Sequence, residues 1–458
     1  MFLLRKFTQG CVILASRMLP DSFVLVVILT LFVFGIAIPL TGQSASAMIE
    51  HWGNGVWKLL AFSMQMALVL VLGTALASAK IISSGLKKLA SLPKTYVGAV
   101  ILVTLVALFG NLLNWGFGLV ISAIFAKEIA KQVKGVDYRL LIAAAYSGFV
   151  VWHAGLSGSI PLTIASGGEN LAKTTAGILT QAIPITKTIF SNYNLIMVGI
   201  IVVCLPLLLT LIHPPKNGVI QVNKALLEDT NEAEILPHKN EHTPSDWLEQ
   251  SPILSILIGC FGILFLFLYF AGGKSINLNT VNLILLFAGI LLHGRPIAYI
   301  RAINKATRNA AGIILQFPFY AGIMGMMTGM PMLDGHANGQ SLAQMLSSAF
   351  ASMANAQTFP MLTFLSAGVV NIFVPSGGGQ WAVQAPIMIP AGVALGVDPS
   401  VVAMAIAWGD AWTNMIQPFW ALPALAIAGL GAKDIMGYCV ITLLFVGLVA
   451  CGGFLFLT

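Results

Sequence analysis

The stretch Val374–Pro390, VPSGGGQWAVQAPIMIP, interrupts a region that is otherwise apolar enough for a lipid bilayer. Pro375 disfavours continued helix, and Gly377, Gly378 and Gly379 leave the backbone free to reverse direction. A bilayer interior offers no water to freed backbone groups, so such a break survives only inside protein or beside a water-filled cavity. Interrupted apolar segments of this kind mark binding sites in secondary transporters. The stretch therefore predicts a re-entrant hairpin over 360–395 with a site at its tip.

The remainder of the chain agrees with that setting. Of 458 residues, 58% are hydrophobic and 9% are charged, and the mean hydropathy is +0.91. Soluble domains carry about 25% charged residues. The expected class is an all-α polytopic membrane protein, with the lipid bilayer as its main partner. The net charge of +7 then reflects Lys and Arg that orient the spans, and points to no nucleic acid. Cys11, Cys204, Cys260, Cys439 and Cys451 have no CxxC or metal-ligand spacing and read as packing residues. No small-residue cleavage site follows Arg5 and Lys6, so 22–40 reads as a retained first span.

In order, residues 1–20 read as an interfacial amphipathic stretch and 57–79 as the second span. Region 96–126 is apolar with basic flanks on both sides, Lys80, Lys87, Lys88 and Lys94 before it and Lys127, Lys131, Lys134 and Arg139 after. A single crossing would put one cluster outside, against the positive-inside bias. A hairpin broken around Asn111 and Asn114 keeps both in the cytoplasm; two tightly packed full spans are the alternative. Region 140–165 is broken at His153–Pro161, HAGLSGSIP, as in a discontinuous helix. Residues 166–193 read as an external segment and 194–212 as a span. The stretch 213–250, with Glu228, Asp229, Glu232, Glu234 and Glu241, reads as a cytoplasmic hydrophilic linker.

The second half predicts spans at 252–271, 277–293 and 309–329, with a basic loop carrying Arg295, Arg301, Lys305 and Arg308. A polar external segment (330–358), the hairpin (360–395), a second broken helix (400–430, interrupted at Gly409–Pro418, GDAWTNMIQP) and a last span (434–457) follow. About 9 crossing segments plus two hairpins, with the N-terminus in the cytoplasm, place all basic residues except Lys58, Lys173, Lys187 and Lys274 on the cytoplasmic side. The order hairpin, broken helix, span occurs in both halves. This predicts inverted-topology repeats over 1–212 and 251–458, each with a re-entrant hairpin and a discontinuous helix.

VPSGGGQWAVQAPIMIPAG at 374–392, GDAWTNMIQPFWALP at 409–423 and HAGLSGSIP at 153–161 resemble the bacterial short-chain fatty acid transporter family. The resemblance covers nearly the whole chain. It implies uptake of small monocarboxylates such as acetoacetate or butyrate across the bacterial plasma membrane, the inner membrane in a Gram-negative cell.

A small carboxylate needs hydrogen-bond donors and positive potential, and helix N-termini supply both without a fixed cation. The expected substrate contacts are Ser376, Gly377, Gly378, Gly379 and Gln380 at the second hairpin tip, Asn111 and Asn114 at the first, and Ser157, Ser159, Thr413 and Asn414 in the two breaks. Asp410 is an intramembrane carboxylate, functional by default, able to ligate Na⁺ or take up a proton, and His153 is a separate candidate for proton relay or a hydrogen-bonded structural histidine. Na⁺ is the other coupling ion expected, with Asn111, Asn114, Ser376, Asp410 and Asn414 as ligands. Trp381, Trp408, Trp412 and Trp420 read as packing or interfacial aromatics, and Gly325 and Gly329 as a close helix contact. GGKS at 272–275 lacks the first glycine of a phosphate-binding loop, and HExxH and GxSxG signatures are absent, so neither an ATP-driven pump nor an enzyme is expected. The expectation is a secondary, ion-coupled carrier without cofactor, homodimeric by analogy with other large carriers. A carrier of dicarboxylates or aromatic acids, a passive anion channel and an intramembrane enzyme are the alternatives.

Overall fold

The computed structural model describes residues 22–221, 243–274, 276–333, 336–337, 339–372, 374 and 376–458. Residues 1–20, Pro375 and the acidic linker residues Glu228 to Glu241 lie outside that set. The described chain is helical apart from loops and one short antiparallel pair, β1 (Met332–Leu333) and β2 (His336–Ala337). Seven of its helices are long and apolar enough to cross a membrane, and three shorter apolar helices accompany them.

The first part runs α1 (Ser22–Thr41), α2 (Ala45–Gly55), α3 (Leu60–Ala77) and α4 (Lys80–Ala90). A helix–turn–helix follows, α5 (Tyr96–Leu113) and α6 (Trp115–Gln132), with Asn114 alone at the turn. Next comes α7 (Tyr138–Ser147), which continues as a 3₁₀ segment over Gly148–Ala154, stops, and restarts as α8 (Ser159–Ser166). A short α9 (Gly168–Thr174) and the long α10 (Asn192–Leu211) complete this part.

The second part begins with α11 (Pro244–Gln250), α12 (Pro252–Ala271), α13 (Leu278–His293), α14 (Pro296–Thr307) and α15 (Ala311–Thr328). After β1 and β2 come α16 (Leu342–Met353), then α17 (Phe359–Asn371) and α18 (Gly377–Ala394), the second helix–turn–helix. The next helix, α19 (Pro399–Thr413), ends in a 3₁₀ turn over Asn414–Ile416 and restarts as α20 (Pro418–Ala428), followed by α21 (Ala432–Phe456). The order of a paired hairpin and a broken helix therefore occurs twice.

Both hairpin turns carry side-chain caps, whereas the restarts α8 and α20 have none. Asn114 Oδ1 accepts from Phe117 N at 2.8 Å and starts α6. Ser376 Oγ accepts from Gly379 N at 3.4 Å and starts α18. Asp137 and Asp398 do the same for α7 and α19, each at 2.9 Å. These side chains satisfy first-turn amides that the helix itself leaves unpaired.

Three expectations change. The basic segment after Arg295 is not a loop: α14 is a short helix whose basic side chains share a turn with apolar ones, as they do in α4. Gly377, Gly378 and Gly379 do not make the reversal, because none has a positive φ and all three lie inside α18. The reversal therefore precedes Gly377, between α17 and α18. The second break, at Asn414–Gln417, lies within the expected stretch Gly409–Pro418. Cys204 and Cys260 are exposed rather than packed; Cys439 is buried.

Small residues allow the tightest seams. A methyl on Gly325 or Gly329 of α15 would strike His51 of α2, and one on Gly55 would meet the α15 backbone. The expected close contact at Gly325 and Gly329 is thus made with α2. By contrast α12 has large apolar side chains exposed along its length, among them Phe261, Phe267 and Leu268. In a bilayer that face is solvated by lipid tails, which are as apolar as leucine.

Candidate functional site

The two broken helices meet at their interruptions. His153 closes the 3₁₀ segment after α7, and Asp410 lies one turn before the end of α19. His153 Nε2 is 3.1 Å from Asp410 Oδ2, and both side chains are fully buried. Tyr146 of α7 donates to the Asn414 carbonyl at 2.6 Å and ties the same two elements together.

Each hairpin is also bonded to the broken helix that follows it. At the first, Leu156 N donates to the Leu112 carbonyl at 2.7 Å, and Trp115 N donates to Ser157 Oγ at 2.9 Å. At the second, Asn371 Nδ2 donates to the Asp410 carbonyl at 2.7 Å and to Thr413 Oγ1 at 2.9 Å, while Thr413 Oγ1 donates to the Gly368 carbonyl at 3.0 Å. These bonds tie each hairpin to its broken helix, and the Asp410 carbonyl accepts from Asn371 in addition to Asn414 N.

The Gly-rich tip of α18 completes the junction through proximity. A Cβ on Gly377 would collide with His153 Nε2 and lie 2.6 Å from Ser159 Oγ. A Cβ on Gly378 would lie 2.8 Å from Phe62 and 2.9 Å from Phe317, and one on Gly379 2.6 Å from Tyr320. The three glycines are needed because the backbone comes this close to its neighbours.

Between these parts lies a cavity of about 50 Å³. A single water needs roughly 10–15 Å³ by the same measure, so the space takes about four water-sized groups. Its polar lining comes from Ser376, Gly377 and Gly378 at the start of α18, Ser159 at the start of α8 and Gln316 of α15. Its apolar lining comes from Met66 and Leu70 of α3, Trp115, Trp152, Phe317 and Trp420. First-turn amides of α18 and the positive end of its dipole favour an anion beside Gly377 and Gly378. No Lys or Arg lines the cavity.

Of the residues expected from sequence, Ser376, Gly377, Gly378 and Ser159 line this cavity, and Ser159 Oγ is buried without a partner. Gly379 packs on Tyr320, and Gln380 Nε2 holds the hairpin by donating to the Ala367 carbonyl at 2.9 Å. Asn111 donates to the Ala107 carbonyl at 2.7 Å, within its own helix. Asn114, Ser157 and Thr413 make the caps and ties described above. With its oxygen placed 3.2 Å from Trp152 Nε1, the Asn414 amide sets its nitrogen 3.1 Å from Gln417 Oε1. The five expected Na⁺ ligands are thus divided, Asn111 and Asn114 at the first hairpin, Asp410 and Asn414 at the second break, and Ser376 at the cavity. Among the described residues no cluster of three or more His, Cys, Asp or Glu side chains is present. Three buried acceptors of the second unit, Asp410 Oδ1, Asn371 Oδ1 and Gln380 Oε1, have no hydrogen-bond partner. Oxygen atoms of this type suit a hard cation better than a transition metal.

The indoles of Trp381, Trp408 and Trp412 donate to Thr174, Asn194 and the Leu443 carbonyl, and serve packing as expected. Trp420 instead faces the cavity. Met66, Leu70, Gln316 and Phe317 also line it and carried no sequence signal, since apolar residues on a spanning helix look alike whether they face lipid or cargo.

Comparisons with known proteins agree on the class. A family model described as short chain fatty acid transporter matches residues 3–457. A relative from Escherichia coli K12 is 47% identical over 95% of each chain, and one from Haemophilus influenzae is 43% identical over 96% of this chain and 97% of the other. Both carry the provisional name of short-chain fatty acid transporter. Two solved structures share the fold at 16% identity. The YdaH transporter of Alcanivorax borkumensis, described as having an unusual topology, has a TM-score of 0.59 over 96% of this chain and 97% of its own. MtrF of Neisseria gonorrhoeae, assigned to a class of antimetabolite efflux pumps, has a TM-score of 0.55 over 98% and 97%.

Proposed function

This chain belongs to the short-chain fatty acid transporter family, and from that premise we propose that it is a secondary active carrier of small monocarboxylates across the bacterial plasma membrane. Its class is transport and not catalysis. The observation that carries the reading is the cavity beside Ser376, Gly377 and Gly378. Its polar lining offers amide and hydroxyl donors to a carboxylate, and its aromatic lining accepts a short acyl tail. The absence of a lining cation suits a carrier, because a fixed ion pair would slow release.

In this reading the hairpins α5–α6 and α17–α18 are re-entrant and belong to two units of inverted orientation, joined by the cytoplasmic linker. Each tip meets the break of its own discontinuous helix, and His153 and Asp410 join the two breaks. Movement of one unit against the other would part or re-form that contact, which gives the coupling ion a place to act. A proton is the first reading, carried by the His153–Asp410 pair. Na⁺ is the second, and the unpartnered oxygens of Asp410, Asn371 and Gln380 favour it.

Purified protein in liposomes tests the proposal. A carrier exchanges labelled butyrate against an internal pool and accumulates it under either an imposed pH gradient or an imposed Na⁺ gradient. Leak of butyrate without counterflow would make the protein a channel, and exchange of dicarboxylates in place of butyrate would move it to another carboxylate class.

A further inference from the structure

Three lining residues of the cavity form one aromatic cluster with a fourth ring behind them. Trp115 lies 5.8 Å from Trp152 and 5.4 Å from Trp420, edge-on to the latter at 88°. Phe149 stacks on Trp152 at 5.6 Å and 3°, and lies 5.7 Å from Trp420. The rings come from the tip of the first hairpin, the first broken helix and the restart of the second. The four rings are therefore held by three separate elements, with Phe149 and Trp152 sharing the 3₁₀ segment, and none can turn aside without disturbing the others.

We propose that this aromatic wall sets the acyl-chain length the carrier accepts, with Trp420 as the ring whose size fixes the limit. The inference rests on the carboxylate reading above and adds the residues that decide selectivity. An acid whose carboxylate lies at Gly377 and Gly378 has its tail confined between Met66, Leu70, Phe317 and the wall. Methylenes gain contact while space remains, on the order of 4-fold in affinity for each one buried. Beyond that the next carbon meets rings backed by Phe149, and a rigid pocket rejects one surplus methylene by about 10–200-fold. A space of about 50 Å³ places that limit among the shortest acids.

Competition counterflow on the full-length protein in liposomes reads the limit directly. Labelled butyrate is exchanged in the presence of unlabelled straight-chain acids from acetate to octanoate. The natural protein should show rising competition and then a drop of at least about 10-fold at one length. Trp420→Leu should move that drop outward by one carbon or more, and Ile313→Phe, which adds a ring at another residue lining the cavity, should move it inward. If Trp420→Leu does not yield folded protein, Trp420→Phe should still give the smaller outward shift. A drop at the same length in variants that exchange butyrate overturns the inference, as does competition that rises smoothly through octanoate in the natural protein. A natural protein that exchanges none of these acids overturns the carboxylate reading and the length filter together.

Discussion

His153 Nε2 and Asp410 Oδ2 stand 3.1 Å apart with neither side chain reaching solvent, although 256 positions separate the two residues between them in the chain. A buried carboxylate is tolerated only with a partner, and removing one member of such a pair costs about 3–5 kcal/mol because the other is left unpaired. His153→Ala is therefore expected to lower the thermal stability of the purified protein well beyond that of a surface substitution. Asp410→Asn keeps the volume and removes the charge. Its expected phenotype is loss of gradient-driven butyrate accumulation while counterflow persists. Accumulation equal to that of the natural protein would assign coupling to other residues.

Gly377, Gly379 and Gly85 separate close approach from helix propensity. At Gly379 an added methyl lies 2.6 Å from the Tyr320 ring, whereas at Gly85 of α4 it meets nothing within 4 Å. Overpacking a full site costs about 1–3 kcal/mol, while Gly→Ala in an open helix interior gains roughly 0.5–1 kcal/mol. Thermal unfolding should fall for Gly379→Ala and hold or rise for Gly85→Ala. Gly377→Ala drives its methyl into His153 and Ser159, so transport should fall more steeply than stability does.

Asn371 gives a test of the hairpin's attachment. Its amide donates to the Asp410 carbonyl and to Thr413, and both acceptors are buried. Asn371→Leu removes both bonds, at about 0.5–1.5 kcal/mol each, while the Asp410 carbonyl keeps its bond from Asn414 N. Thr413→Val removes the hydroxyl that donates to the Gly368 carbonyl and accepts from Asn371, but leaves Asn371 bonded to the Asp410 carbonyl, and should cost less. A melting temperature unchanged in Asn371→Leu would mean that the tie contributes nothing to holding α17 on α19.

Much of this fold is legible in the chain because membrane segments are long and their interruptions are chemically loud. The second hairpin reads from Val374–Gly379, and the break after α19 from Thr413, Asn414, Gln417 and Pro418, since such residues are costly in a plain span. The amphipathic helices α4 and α14 were less legible. In α14, Ile297, Ile300 and Ile303 repeat at helical spacing, but over 12 residues Arg301 and Lys305 make the segment look like a loop. The role of the Gly triplet was hidden for another reason. Sequence states that glycine can turn, whereas only packing states that Phe62, Phe317, Tyr320 and His153 need its missing side chain. The cavity wall is hidden in the same way: Trp420 and Leu70 differ from other apolar residues only in what faces them.

The re-entrant path proposed for α5 and α6 can be tested apart from transport. If the pair dips into the membrane and returns, Lys94 before it and Lys134 after it lie on one side; if each helix crosses fully, two crossings also return the chain, but Asn114 then reaches the opposite surface. In the folded chain Asn114 is buried, 2% exposed, and its carboxamide lies against Gly73 of α3 with no room for a methyl between them. A turn that reached water would have no reason to be sealed by a neighbouring helix, because its polar groups could be hydrated there instead. Single cysteines at Lys94 and Lys134 should thus react with a membrane-impermeant maleimide from the cytoplasmic face alone. A cysteine at Asn114 should resist it from the outer face. Rapid labelling of position 114 from outside would make α5 and α6 two full crossings, and would remove the first hairpin from the proposed mechanism.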